Sequence, residues 1–235
     1  YTVIRSKYVI PSVEYQMTDG SIGYIKIIQF DSTTLTQFSR AVNDLTGQGA
    51  AALVFDVRGN AGGLLSAAVD CIDLLVPKGD IVWAEYKTGE RTLLGESDDS
   101  SVDLPMVVLV NGNTSYAAEL FATSIREFEK GRVVGTRTAG KGTIQCRPVA
   151  LSDGSAFSYT VGLLLSKNGA TFNGTGISPD VEASLSAEEE ANFYNFTVDT
   201  DPQILRAFEV VDTLTGRNDI QASLEPSQSS SASEA

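Results

Sequence analysis

Histidine is absent from all 235 residues of this chain. A Ser-His-Asp triad and a Cys-His pair both use an imidazole base, so both mechanisms are excluded. A hydroxyl nucleophile in this chain therefore needs a different base, and a lysine held in its uncharged form is the obvious candidate. Without histidine, and with only the distant Cys71 and Cys146 as thiols, we also expect no zinc site, no other metal and no cofactor.

Cysteine is scarce as well, and two residues do not make a disulfide framework. Cys71 lies in an apolar helical pattern that is typical of a small buried side chain. Cys146 ranks below Ser115 as a candidate nucleophile, because a thiol needs a nearby group that stabilises its thiolate. A disulfide between Cys71 and Cys146 stays open.

Basic residues are few compared with acidic ones. The chain has 17 Lys and Arg against 30 Asp and Glu, which gives a formal net charge of −13. This balance argues against a nucleic-acid partner and against binding to an anionic membrane surface. The chain also lacks an apolar run of the length that crosses a membrane. With 42% hydrophobic and 20% charged residues, the composition is that of an ordinary globular domain.

The chain divides into four predicted parts. It begins with Tyr1 inside a strand-like stretch rather than at a methionine, so we expect a piece of a longer or processed protein. Residues 1–11 are interpreted as the remnant of an upstream segment, and residues 12–183 as the core domain. Residues 184–222 are predicted to form a helical segment. Residues 223–235, rich in serine and glutamate, are predicted to be disordered.

In the core domain, sequence patterns typical of strand, turn, helix and strand repeat in that order. This order predicts an α/β fold with a mostly parallel sheet flanked by helices. Turn signals at Asp19-Gly20 and Thr88-Gly89 predict two additional β-hairpins. The strongest predicted elements are two buried strands and the two helices that follow them: Ala51–Val57, Leu64–Val76, Met106–Val110 and Ser115–Phe128.

Three loops follow predicted buried strands, at residues 58–63, 111–115 and 136–145. Because parallel strands end at the same edge of a sheet, we expect these loops to converge. The first is glycine-rich and offers backbone N–H groups that suit an oxyanion. The second brings hydroxyl groups to the start of a helix. The third holds Lys141, which can act as a base only if burial or a nearby cation keeps it uncharged.

Each of these loops also has an ordinary structural explanation. A glycine-rich turn before a helix is common in α/β proteins, and Thr114-Ser115 before a helix is more often a cap than a nucleophile. A Gly-Lys-Gly sequence is usually an exposed turn. The occurrence of all three in order, without histidine, is what favours catalysis.

At these residues the chain resembles the C-terminal processing peptidases, also called tail-specific proteases, from about Ser12 to Val181. The resemblance lies in several separate blocks in the family's order. They are Gly23–Ile27, Phe55–Leu64, Leu109–Asn111, Ala117–Glu119, Val134–Gly142 and Gly174–Asp180.

The resemblance implies a ClpP/crotonase-like core and a serine protease with a lysine base, acting on polypeptides near their C-termini. It implies an extracytoplasmic location and a PDZ-like domain upstream. By the motif, Lys141 is the general base and Gln145 its orienting partner. The predicted oxyanion hole consists of backbone N–H groups at Gly62, Gly63 and Tyr116. A homodimer stays open.

The sequence departs from the family at the nucleophile. The family serine stands three residues before the glutamate that matches Glu119, and that position is Tyr116, with Ser115 one residue earlier. One residue on a helix is about 100° of rotation and about 1.5 Å of rise. Three explanations stay open: a shifted helix start that lets Ser115 attack, an inactive site that only binds peptides, or a substitution in an active protease. A crotonase-type enzyme acting on acyl-CoA explains Lys141 and Gln145 less well.

Overall fold

The computed structural model describes residues 10–18 and 20–216. The predictions for residues 1–9, for the turn residue Asp19 and for the tail at 223–235 lie outside the described residues. Twelve strands are numbered here in chain order: β1 Val13–Met17, β2 Ile22–Ile27, β3 Ala52–Asp56, β4 Gly79–Tyr86, β5 Arg91–Ser97, β6 Met106–Val110, β7 Gly131–Gly135, β8 Thr143–Gln145, β9 Val149–Ala150, β10 Ala156–Phe157, β11 Thr160–Ser166 and β12 Val181–Glu182. The helices are α1 Thr34–Gly47, α2 Leu65–Asp73, α3 Ala117–Glu127, α4 Ala187–Ala191 and α5 Pro202–Thr215, with a 3₁₀ turn at Phe193–Asn195.

The central sheet has six strands in the order β1-β2-β3-β6-β7-β12. The pair β1-β2 is an antiparallel hairpin, and every other pair in this sheet is parallel. β3 and β6 are buried along their whole length, as expected for parallel strands covered on both faces. The prediction of an α/β fold with a mostly parallel sheet flanked by helices is confirmed.

The two faces of the central sheet carry separate hydrophobic cores. One face packs against α1, α2 and α3. At its centre Phe30, Phe38, Phe55 and Phe121 meet with ring centroids 5.4 to 6.1 Å apart. The other face is covered by α5, whose buried side chains pack on β2, β3, β6 and β7. The segment after residue 184 therefore supplies the second helical layer of the sheet.

The start of α5 is fixed by Asp201, whose carboxylate accepts hydrogen bonds from the backbone N–H groups of Gln203 and Ile204. Pro202 occupies the first turn, where its missing N–H costs nothing. Gly216, in the left-handed conformation with φ 71°, ends the helix. Within the segment predicted to be helical, the structure thus has α5, and before it α4 and the 3₁₀ turn.

A second sheet, with the order β5-β4-β11-β8, is antiparallel throughout. The hairpin β4-β5 was expected, but β8 was not, because three residues inside a glycine-containing loop carry no strand signal of their own. Two further strands, β10 and β11, follow one another closely along the chain. β10 pairs with β9, and β11 lies between β4 and β8.

Three smaller expectations have structural outcomes. Cys71 is buried and Cys146 half-buried, and both are free thiols, so they do not form the disulfide that the sequence left open. Burial raises the pKa of the Cys71 thiol, which keeps it protonated. Within residues 10–18 and 20–216 no helix has the length and apolar character needed to span a bilayer.

We predict that Phe121→Ala lowers the free energy of unfolding by about 3–5 kcal/mol, because it opens a cavity in the aromatic cluster. Urea denaturation followed by circular dichroism measures the change. Phe157→Ala is the matched control: Phe157 is 47% exposed, and we expect less than about 1 kcal/mol there. Equal losses in both variants would contradict this description of the core.

Candidate active site

The three loops predicted to converge do meet at one edge of the central sheet. The backbone N–H of Ser115 donates to the carbonyl oxygen of Asn60 at 3.0 Å, which joins the loop after β6 to the turn after β3. The backbone N–H of Ala139 donates to the carbonyl oxygen of Thr114 at 3.0 Å, which joins the loop after β7 to the loop after β6. These contacts place the start of α3 at the centre of the cluster.

Asn60 organises the glycine-rich turn from inside. It is fully buried, its Oδ1 accepts the N–H of Gly62 at 2.8 Å, and its Nδ2 donates to the carbonyl oxygen of Ile27 at 2.8 Å. Gly62 has φ 99°, and a Cβ added there would lie 2.9 Å from the carbonyl oxygen of Ser115. Only glycine lets this turn pack directly against the start of α3.

Glu119, in the first turn of α3, has a fully buried carboxylate. One oxygen accepts the Thr138 hydroxyl at 2.5 Å and the backbone N–H of Gly140 at 2.7 Å. The other accepts the backbone N–H groups of Tyr116 at 2.9 Å and Lys141 at 2.8 Å. This single side chain therefore fixes the residue before α3 and the loop that carries Lys141 relative to each other.

Tyr116 has a backbone conformation that L-residues rarely adopt, with φ 55° and ψ −112°. Its Cβ lies 3.0 Å from the position that a Cβ on Gly62 would take, so its side chain leaves the backbone next to the glycine turn. Lys141 Nζ is 5.9 Å from the centre of its ring. The side chain of Tyr116, at the position where the resemblance leads us to expect serine, thus lies near both the turn and the lysine.

Ser115 is only 9% exposed. Its backbone N–H is bound to Asn60, and its carbonyl oxygen accepts the N–H of Ala118 at 3.1 Å. In the part of the chain that the structure describes, its Oγ has no hydrogen-bond partner. Because α3 begins at Ala117 and Glu119 holds the N–H of Tyr116, Ser115 lies two residues before the helix.

Lys141 and Gln145 are both exposed. Among the described residues, Lys141 Nζ has no hydrogen bond and no carboxylate partner. In this chain by itself the Lys141 amine is open to water. The reason is that Lys141 lies just before β8, an edge strand of the second sheet, where none of the described residues covers its side chain. Gln145 Nε2 donates to Thr160 Oγ1 at 2.8 Å, so its amide is not bound to Lys141.

The predicted oxyanion donors also need correction. The N–H of Gly62 is used by Asn60 Oδ1, and the N–H of Tyr116 is used by Glu119. Gly63 keeps a backbone N–H without a partner among the described residues. So does Ala117, the first residue of α3, which the sequence reading did not single out. Ala117 could have been found from the sequence, because the first N–H groups of a helix have no partner within the helix.

The sequence reading used Glu119 as a marker of the family, but missed its role as the buried acceptor at the centre of the site. It missed Asn60 and Thr138 in the same way. A carboxylate among apolar residues at the start of a predicted helix was the available signal, because buried charges require hydrogen-bond partners. The identity of those partners depends on loops distant in sequence.

Burial raises the pKa of the Tyr116 phenol above its ordinary value of 10.0. The phenol therefore stays protonated at neutral pH, and it is a weak nucleophile in that form. We predict that the difference in tyrosinate absorbance between wild type and Tyr116→Phe appears with a midpoint above pH 10. A midpoint below pH 10 would contradict the burial of this ring.

We predict that Glu119→Gln destabilises the protein by about 2–5 kcal/mol, because an amide cannot accept from all four donors and leaves at least two of them unpaired. Chemical denaturation gives the change in unfolding free energy. Glu129→Gln serves as the control, since Glu129 is exposed and its carboxylate has no partner among the described residues. A Glu119→Gln variant as stable as the control would show that this network contributes little.

Comparisons with known proteins agree with this architecture. The sequence model of Peptidase family S41 matches residues 21–183. The chain is 35% identical over 185 residues to the carboxy-terminal processing protease CtpA of Bacillus subtilis, covering 78% of this chain and 40% of that protein. It is 39% identical over 163 residues to the chloroplastic C-terminal processing peptidase of Tetradesmus obliquus, covering 68% of this chain and 35% of that protein.

Among solved structures, the photosystem II D1 C-terminal processing protease superposes with a TM-score of 0.70 at 33% sequence identity, covering 85% of this chain and 56% of that one. The chain thus spans about half or less of the length of these relatives. The family model covers more than half of the chain, and it includes all three loops of the site. The chain belongs to Peptidase family S41.

Proposed function

We propose that this chain is the core of a serine-type endopeptidase of the C-terminal processing class. The observation that carries the proposal is the Glu119 network, which joins the start of α3 to the loop carrying Lys141 in a chain of Peptidase family S41. The substrates are polypeptides, cut near their C-termini. Relatives named as C-terminal processing proteases support this choice.

In the proposed reaction, Ser115 Oγ attacks the carbonyl carbon of the peptide bond and passes its proton to uncharged Lys141. The resulting oxyanion accepts hydrogen bonds from the free N–H groups of Gly63 and Ala117. Lys141 then returns the proton to the leaving amine, and water releases the acyl group by the same steps in reverse. Gln145 orients the amine of Lys141 once substrate is bound.

This reaction requires Lys141 to lose both its water and its proton. In the free chain the side chain is exposed, so the bound polypeptide has to cover it. A bound chain lying along the open loop before β8 excludes water there and favours the neutral amine. The proposal therefore makes the substrate part of the environment that activates the base.

A second function is favoured by one specific observation. Tyr116, rather than a serine, has the side chain that faces the glycine turn and Lys141, and its phenol is protonated at neutral pH. A site of this kind holds extended or C-terminal peptides without cutting them. Under this alternative the domain is a peptide-binding module with the scaffold of a peptidase.

The setting proposed for either function is extracytoplasmic, consistent with the chloroplastic relative. The acidic chain, with a net charge of −13, is unsuited to nucleic acid.

The two functions are separated by cleavage of an unstructured polypeptide, followed by mass spectrometry. If Ser115 is the nucleophile, we predict that Ser115→Ala and Lys141→Ala each lower kcat by about a thousandfold or more, while Lys78→Ala, at an exposed and distant lysine, leaves it unchanged. Under the alternative, wild type is inert, and Tyr116→Ser creates cleavage that Lys141→Ala abolishes. Calorimetry with C-terminal peptides then has to detect binding by wild type.

Equal cleavage by wild type, Ser115→Ala and Lys141→Ala would overturn the first function. Absence of peptide binding together with absence of cleavage would overturn both.

A further inference from the structure

Arg58 begins the glycine-rich turn, yet its side chain points away from the site and is buried between the central sheet and the C-terminal segment. It is 8% exposed. The Arg58 guanidinium donates four hydrogen bonds and makes one further close ion-pair contact. Asp56 accepts hydrogen bonds from Nε at 3.0 Å and from Nη2 at 2.7 Å. Nη1 donates to Asp201 at 3.1 Å and to Gln203 at 2.8 Å, and Nη2 lies 2.9 Å from Asp201 Oδ2 as an ion pair.

The charge on Arg58 is permanent in this environment. Burial by itself lowers its pKa, but Asp56 and Asp201 outweigh burial and raise the pKa above that of an ordinary arginine. A buried charge of this kind stays in place only where its partners are, because leaving it unpaired is costly. The position of the Arg58 side chain is therefore set by the two carboxylates.

One of those carboxylates belongs to the C-terminal segment. Asp201 is 4% exposed and caps α5, so it is fixed by the helix that covers the sheet. The ring of Phe193, from the 3₁₀ turn, lies 5.2 Å from Arg58 Cζ. The segment that follows the matched residues 21–183 thus encloses Arg58 from two directions.

The turn that Arg58 begins needs anchors, because its glycines allow many conformations. Gly59, Gly62 and Gly63 have φ values of 73°, 99° and 126°. Downstream, the turn is held by Phe30, whose N–H donates to the carbonyl oxygen of Gly62 at 2.9 Å. In the middle it is held by the buried side chain of Asn60. Upstream, the side chain of Arg58 is the anchor that reaches the C-terminal segment.

We infer that Asp201 is a positioning residue for the site: through Arg58 it sets the conformation of the turn Gly59–Gly63, which carries the free N–H of Gly63 and packs against Tyr116. The C-terminal segment is then part of the machinery, and not only a cover for the sheet. The predicted effect of Asp201 on catalysis rests on the proposed function, whereas its predicted effect on the conformation of the turn does not.

A merely structural role for Asp201 would be to cap α5. Asp201→Asn separates the two roles, because asparagine is as good a cap as aspartate. It removes the charge and one acceptor facing Arg58. Asp56 remains to balance Arg58 one to one, so the variant is expected to fold. Asp201→Ser also keeps a capping oxygen while removing the carboxylate, and it serves if the first variant is poorly folded.

The experiment measures amide hydrogen exchange in the turn, together with kcat and KM for an unstructured polypeptide. For Asp201→Asn we expect the N–H groups of Asn60 and Gly62 to exchange about tenfold faster, and α5 to keep its protection. We expect kcat to fall about tenfold and KM to change less than about twofold, since the turn holds the oxyanion rather than the ground state. Ser186→Ala, which removes the cap of α4, is the matched control and should alter neither quantity.

Arg58→Lys should reproduce these changes, because lysine cannot form the paired contacts of the guanidinium. The double variant should be no worse than either single one, which indicates that both residues act through one contact. Unchanged exchange in the turn of folded Asp201→Asn or Asp201→Ser overturns the inference, even if the protein cleaves. Faster exchange in a protein that never cleaves, including as Tyr116→Ser, supports the inference and overturns the proposed peptidase.

Discussion

The carboxylate of Glu119 is buried among four hydrogen-bond donors, one of which belongs to the residue before α3 and three to the loop after β7. A buried charge without such partners would be unstable, so the two segments cannot separate without exposing it or leaving it unpaired. The position of Lys141 relative to the start of α3 follows from this constraint. The glycine turn packs against the start of the same helix, and Lys141 itself stays open to water.

Tyr116 shows how strongly the surrounding structure determines this point of the chain. Backbone conformations of this kind cost about 1–3 kcal/mol in an L-residue and persist only where neighbouring contacts enforce them. Here the contacts are the bond from its N–H to Glu119 and the close approach of Gly62. The backbone conformation of Tyr116 is therefore held by its neighbours in the site.

Much of the fold could be predicted from local pattern. The strand at 106–110 has a continuous apolar run, and the hairpin β4-β5 has a clear turn signal. β8 could not be predicted, because a three-residue strand exists only through its pairing with β11. The packing of residues 202–215 on the second core could not be predicted either, because the pattern of an amphipathic helix does not indicate which surface the helix covers.

The sequence alone determined the exclusion of histidine chemistry, the α/β class, the three loops and the residue types available in them. These are properties of composition and of contacts between near neighbours. Only the tertiary structure decided which N–H groups of the loops stay without a partner among the described residues, which side chain lies near Lys141, and that the lysine is open to water. The physical reason is that a backbone N–H can bind to Asn60, to Glu119 or to solvent. Which of these it binds depends on segments that meet only after the chain has folded.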